Sequence, residues 1–130
     1  MRNISFALTT EQVRAQTKTV TRRLGWKNAK VGDVAQPVVK GQGLKKGERV
    51  EKIGGPIRFV GVWRGPLERM TGRFEDFAAS DEARLEGFPH LTSEEFVSMF
   101  CEHNGCTSAT EVTRIEFEYV SAKLARSLDE

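Results

Sequence analysis

Cysteine is scarce in this chain: two residues, Cys101 and Cys106, among 130. A small domain stapled by disulfides needs more of them and a secreted context, so that class is excluded. Histidine is as rare, with His90 and His103. The stretch CEHNGC offers Cys101, His103 and Cys106, but C-x-H-x-x-C is not the paired short spacing that a structural zinc site uses. No metal and no cofactor is therefore expected. Long apolar runs are missing too. No stretch approaches the roughly 20 residues of a membrane span. The opening MRNISFALTTEQ is too short and broken in its apolar part for a signal peptide. The expectation is a cytoplasmic protein without a membrane partner. Repeats, low-complexity tracts and linkers are also lacking, and the length fits one domain, read as residues 1–120 with a C-terminal tail at 121–130.

What is present is charge, and it is polarised along the chain. Residues 1–73 hold sixteen Lys and Arg against five Asp and Glu, a balance of +11, while residues 74–130 hold four against thirteen, a balance of −9. The overall +2 conceals this. Two outcomes are open. The basic half can gather its cations on one face and attract a polyanion, or the halves can interleave and neutralise each other.

Apolar patterning predicts several short strands and few helices. ISFAL (residues 4–8) reads as a strand, and Thr9 or Thr10 can cap a short helix through Arg14. TVTRRL is rich in β-branched residues and reads as a strand. NAKVGD is a turn, and VAQPVVK a strand whose Pro37 suggests an edge or a bulge. GQGLKKGERVEKIGGP reads as a mobile hairpin or loop. IRFVGVW alternates, with Ile57, Phe59, Gly61 and Trp63 on one face and Arg58, Val60 and Val62 on the other, and this makes Trp63 a core residue. PLERMT forms one helical turn, and FEDFAASDEARLEGF is acidic and partly helical. Thr92 opens the best helix: Glu95 completes a capping box, Phe96, Met99, Phe100 and His103 follow at helical spacing, and Gly105 can end it. His103 can instead line a pocket at the helix end. Glu94, Glu95 and Glu102 form a solvated face. VTRIEFEYV closes the core, with Ile115, Phe117 and Tyr119 alternating against Arg114, Glu116 and Glu118.

The stretch TKTVTRRLGW concentrates hydroxyls and cations. QTKTVTRR resembles the signature G-x-K-x-x-E-x-R of the ASCH domain family in the PUA-like superfamily. Lys18 matches its lysine and Arg23 its arginine. Gln16 stands in place of the glycine, and Thr21 in place of the usual glutamate. With threonine there, the motif is similar to that of the small amidohydrolases acting on N4-acetylcytidine. KVGDV, VGVWRGPLERM, GFPHLTSEEFVSMF and RIEFEYV resemble further steps of the family in the same order. The resemblance implies an α+β fold, a small PUA-like β-barrel with a few short flanking helices. It also implies a catalytic threonine, lysine and glutamate: Thr21, Lys18 and Glu86, with Glu82 as the alternative carboxylate.

The chemistry places demands on these residues. A threonine hydroxyl becomes a nucleophile only when a base removes its proton, and a lysine serves as that base only when burial or neighbouring cations depress its pKa. Arg22 and Arg23 supply such cations. Lys18 and Thr21 are three residues apart, so a regular strand would send them to opposite faces. They converge only if Lys18 precedes the strand or a bulge intervenes. A second class of function needs less. Arg22, Arg23, Lys27, Lys30, Lys40, Lys45 and Lys46 can form a cationic groove for RNA, with Trp26 stacking on an unpaired base. The functions left open are hydrolysis of an N4-acylated cytidine, RNA binding without turnover, and ribonuclease action with Lys18 and Glu86 as acid and base. The partner in each case is RNA or a nucleoside.

Overall fold

A computed structural model of the protein describes residues 1–41, 44–71 and 81–121. Its elements run β1 (Arg2–Ser5), α1 (Thr10–Arg14), β2 (Val20–Arg23), β3 (Val34–Val38), β4 (Ile57–Pro66), a 3-10 turn (Leu67–Thr71), α2 (Glu82–Leu85), α3 (Ser93–Asn104) and β5 (Glu111–Tyr119). The five strands form one sheet in the order β1-β3-β4-β5-β2. β1 and β3 are parallel, and the other pairs are antiparallel. This is a mixed α+β fold with a few short helices. The sheet begins at β1 and ends at β2, and among the described residues no pairing joins those two strands into a closed barrel. No helix among the described residues is long and apolar enough to cross a membrane.

The long antiparallel pair β4–β5 is the spine, and two apolar cores lie along it. One gathers Ile4, Phe6, Val13, Ala35, Ile53, Ile57, Phe59, Ile115 and Phe117. The other gathers Leu67, Met70 and Val112 with Ala83 of α2 and Phe96, Val97 and Phe100 of α3. Helix α3 forms where its local signals place it. The Thr92 hydroxyl accepts from the Glu95 N–H, the Glu95 carboxylate accepts from the Thr92 N–H, and Gly105 closes the helix at φ 62°.

Several expectations are corrected. The strand expected at residues 4–8 is β1 at Arg2–Ser5, because the chain turns at Phe6 to enter α1; the Thr9 N–H bonds the Phe6 carbonyl. Between Phe59 and Gly61 the β4–β5 register shifts by one residue. A bulge of this kind reverses which side chains face the core. Val60 is therefore exposed, Val62 packs on the first core, and Trp63 is only half-buried. The Trp63 ring lies over Gly65, where an added Cβ would meet it at 2.5 Å. Arg114 was expected on the solvated side of β5 but is buried, because Glu82 meets it there. The glycine- and lysine-rich segment is tied back in part: Ile53 is buried in the first core and its N–H bonds the Pro37 carbonyl. The expected partial helix within 74–88 appears as α2 at Glu82–Leu85, while its residues 74–80 lie outside the described residues, as do residues 42–43 and most of the tail, 122–130.

Candidate functional site

A cleft with a volume of about 280 Å³ opens between the two cores. One wall is apolar: Phe6 and Leu8 beyond β1, Leu24 after β2, Phe88, and Phe96, Met99 and Phe100 from α3. The other is polar: Lys18, Thr21, Arg22, Arg23 and Glu86. His103 and Asn104 stand at the rim, at the end of α3.

The backbone around Lys18 explains how the amine reaches this wall. After α1, Gln16 takes φ 61°, a left-handed conformation that favours glycine. The turn brings the Thr17 N–H to the Gln12 carbonyl. β2 begins only at Val20, so Lys18 lies ahead of the strand. The alternation of a strand does not apply to it, and its side chain lines the same cleft as that of Thr21. The Lys18 segment is held from several sides. The Tyr119 hydroxyl donates to the Lys18 carbonyl at 2.5 Å, the Thr19 N–H donates to the Leu85 carbonyl, and the Gln12 side chain donates to the Gly87 carbonyl at 3.2 Å. Gly87 sits at φ 100° directly below Gln12: an added Cβ would lie 3.1 Å from the Gln12 side chain and 3.6 Å from that of Lys18.

Lys18, Arg22, Glu82, Glu86 and Arg114 form a continuous buried chain of ion pairs. Lys18 Nζ donates to the Glu86 carbonyl at 2.6 Å and to Glu86 Oε1 at 3.0 Å. Arg22 Nη1 donates to Glu86 Oε2 at 2.9 Å, and Arg22 Nη2 bonds Glu82 Oε1. Arg114 closes a fork on Glu82, at 2.7 Å to Oε1 and 3.2 Å to Oε2. Both carboxylates are therefore fully engaged, Glu86 beside the cleft and Glu82 behind it. The two candidates have different positions: Glu86 contacts Lys18, and Glu82 organises the arginines.

The electrostatics follow from this packing. Burial pushes the Lys18 amine below its ordinary value. The Glu86 charge and hydrogen bond oppose that shift, and the Arg23 and Arg22 charges reinforce it. Burial likewise brings Arg23 down to about 10. The Glu82 carboxyl is pushed up by burial, but the hydrogen bonds and charges of Arg114 and Arg22 outweigh this and hold it below the usual carboxylate range. Thr21 is buried, and its Oγ1 accepts from Arg23 Nε at 3.0 Å; no hydrogen bond joins Thr21 to Lys18. The Arg23 guanidinium lies 4.7 Å from the centre of the Phe6 ring.

Neither a protein-family model nor a curated protein matches this sequence. A solved structure is similar in fold. It is the crystal structure of protein EF3133 from Enterococcus faecalis V583, whose family model is DUF984, with a TM-score of 0.50 and 19% identity over 85% of this chain and 66% of that one. The chain thus spans just under two thirds of that protein's length. At this identity the likeness is one of fold.

The remaining sequence candidates lie elsewhere. Arg22 lines the cleft, but its guanidinium is buried between Glu82 and Glu86. Trp26 sits at φ 55°, edge-on to Phe59, with the Arg2 guanidinium 3.8 Å over its ring. Lys40, Lys45 and Lys46 are exposed and do not line the cleft, and Lys40 lies 3.8 Å from Glu48. None of these three lysines joins Arg22 and Arg23 in the lining of the cleft. Cys101 and Cys106 are free thiols near each other at the end of α3, and burial raises the Cys101 pKa. Among the described residues no group of three or more His, Cys, Asp and Glu is placed to hold a metal ion.

Sequence reasoning missed Arg114, Tyr119 and Gln12, which hold the acid and the lysine segment in place. It also missed that the Phe96–Phe100 face serves as cleft wall as well as core. Helical spacing identifies an apolar face but not what it faces.

Proposed function

We propose that this chain is an ASCH-type, PUA-like domain of the cytoplasm that hydrolyses the amide of an N4-acylated cytidine. The observation that carries the reading is the meeting of Lys18, Thr21 and Glu86 in one half-apolar cleft. The cleft's volume, about 280 Å³, is at the small end of ligand sites, which suits one nucleoside with its base against the phenylalanines rather than a duplex.

The chemistry uses the amine in its neutral form, which its depressed pKa favours. A neutral amine carries two hydrogens and one lone pair. The hydrogens match the two Glu86 acceptors, and the lone pair remains for the Thr21 proton. Thr21 Oγ1 attacks the acyl carbonyl as its proton passes to Lys18. The resulting ammonium, held by Glu86, returns the proton to the departing N4 amine. An acyl-threonine is left, which water hydrolyses with Lys18 again as base.

A second reading has its own support. With both acceptors on Glu86, Lys18 also resembles a structural cation, which suits RNA binding without turnover. The test is incubation of the purified protein with N4-acetylcytidine. Release of cytidine, lost in Thr21→Val with an unchanged thermal melt, supports hydrolysis. Undiminished turnover in that variant removes Thr21 as nucleophile. Salt-sensitive RNA affinity without product supports the binding module. Shortened RNA, lost in Lys18→Ala, supports a ribonuclease.

A further inference from the structure

Arg23 differs from the other cations around the cleft. Of the three Lys and Arg side chains that line it among the described residues, Lys18 and Arg22 each pair with a carboxylate. Among the described residues, Arg23 has no carboxylate within ion-pair distance. Its contacts are the Thr21 hydroxyl through Nε and the face of Phe6. Arg23 is half-buried, and the Glu86 charge acts on it only from beyond ion-pair distance, which leaves guanidinium donors for an anion in the cleft. A guanidinium has five donors in one plane, and only the Nε–H of Arg23 is engaged.

We infer that Arg23 is a catalytic oxyanion donor: its guanidinium takes the negatively charged oxygen that forms when Thr21 adds to an acyl carbonyl. This rests on the reading of Thr21 as nucleophile, not on the identity of the amide. When Thr21 Oγ1 bonds the carbonyl carbon, the C=O π pair moves onto oxygen, and the Thr21 proton passes to Lys18. The new oxyanion shares its carbon with Oγ1, which already lies 3.0 Å from Arg23 Nε, so a planar fork spans both oxygens. The charge is absent in the ground state. The contribution therefore falls on kcat rather than on KM.

The test has two arms. In steady-state kinetics on N4-acetylcytidine, Arg23→Met lowers kcat about 10²–10³-fold with KM within a few-fold of wild type, as for the loss of one oxyanion donor. Added methylguanidinium restores part of the rate. Because the Arg23 charge also depresses Lys18, the rising limb of the pH profile moves to higher pH in the variant, so kcat is compared on the plateau above that limb, where the shift does not enter. In the second arm, phenylboronic acid is added and boron NMR is recorded. Addition of Thr21 Oγ1 to trigonal boron, its proton going to Lys18, gives a tetrahedral anionic adduct. The adduct forms in wild type and is lost in both Thr21→Val and Arg23→Met. Equal kcat in wild type and Arg23→Met overturns the inference and leaves the hydrolase reading in place. An adduct that needs Arg23, without amide turnover, supports the inference and removes the substrate. Neither turnover nor adduct overturns both.

Discussion

The buried ion chain and the lysine-rich segment after β3 are made of the same kinds of side chain and are used in opposite ways. In the chain from Lys18 through Glu86, Arg22 and Glu82 to Arg114, every charge is desolvated and answered within the protein. Lys40, Lys45 and Lys46 stand in water, with a long contact from Lys40 to Glu48. The difference shows why the polarised charge count of the sequence is a poor guide to function. Basic residues before position 73 meet acidic residues after it inside the fold, so part of the imbalance cancels at the site itself. What survives cancellation among the described residues of the cleft is local: one guanidinium beside one hydroxyl.

The largest expected effect tests whether the inner chain holds the structure together. Glu82→Ala leaves Arg22 and Arg114 without their shared carboxylate, and loss of one partner of a buried pair costs about 3–5 kcal/mol. Urea unfolding measures it; a loss below about 1 kcal/mol would place Glu82 with the solvated charges. Next is the pH response. The Glu82 carboxyl titrates below its unfolded value, so the folded protein binds fewer protons there. The stability it contributes is fully present above about pH 4.5 and is lost as pH falls through the depressed folded value. Wild type is therefore expected to lose stability more steeply than Glu82→Gln below that pH, and parallel curves would contradict the pairing.

Activity sharpens the same comparison. Turnover is expected to rise with pH through the titration of Lys18, at a midpoint below the ordinary lysine value, because only the neutral amine accepts the Thr21 proton. A midpoint at the ordinary value would return Lys18 to the class of solvated cations. Smaller still, the double change of Lys45 and Lys46 to Gln is expected to alter stability by less than about 0.5 kcal/mol and to leave nucleoside turnover unchanged. A large fall in turnover would link the segment to the cleft. A last effect concerns the turn. Gln16→Gly is expected to raise stability by up to about 1 kcal/mol, since glycine adopts φ 61° without the Cβ penalty.

How much of this was legible in the sequence depends on how local each cause is. The capping box at Thr92 and Glu95 and the stop at Gly105 act within one turn, and they appear where the residues place them. The strand at Ile57 was legible, but its facing beyond Val60 was not. A single-residue shift leaves no composition signal, and it moved Trp63 out of the core. Alternation put Arg114 in solvent, yet Glu82, 32 positions earlier, decides its burial. Within the candidate site, Lys18, Thr21 and Arg23 were readable from one short motif and Glu86 from resemblance. The residues that hold them, Gln12 and Tyr119, come from distant segments with nothing in their neighbourhood to mark them.

Gly87 shows what such distant support implies. The separation between base and acid is governed here by an atom that is missing. Where the chain folds back beneath Gln12, a single methyl would press on the Gln12 side chain and strain the backbone beside the carboxylate. Damage of this kind would reach the chemistry without altering any group that takes part in it, so a survey limited to titrating side chains would overlook the position on which their spacing depends.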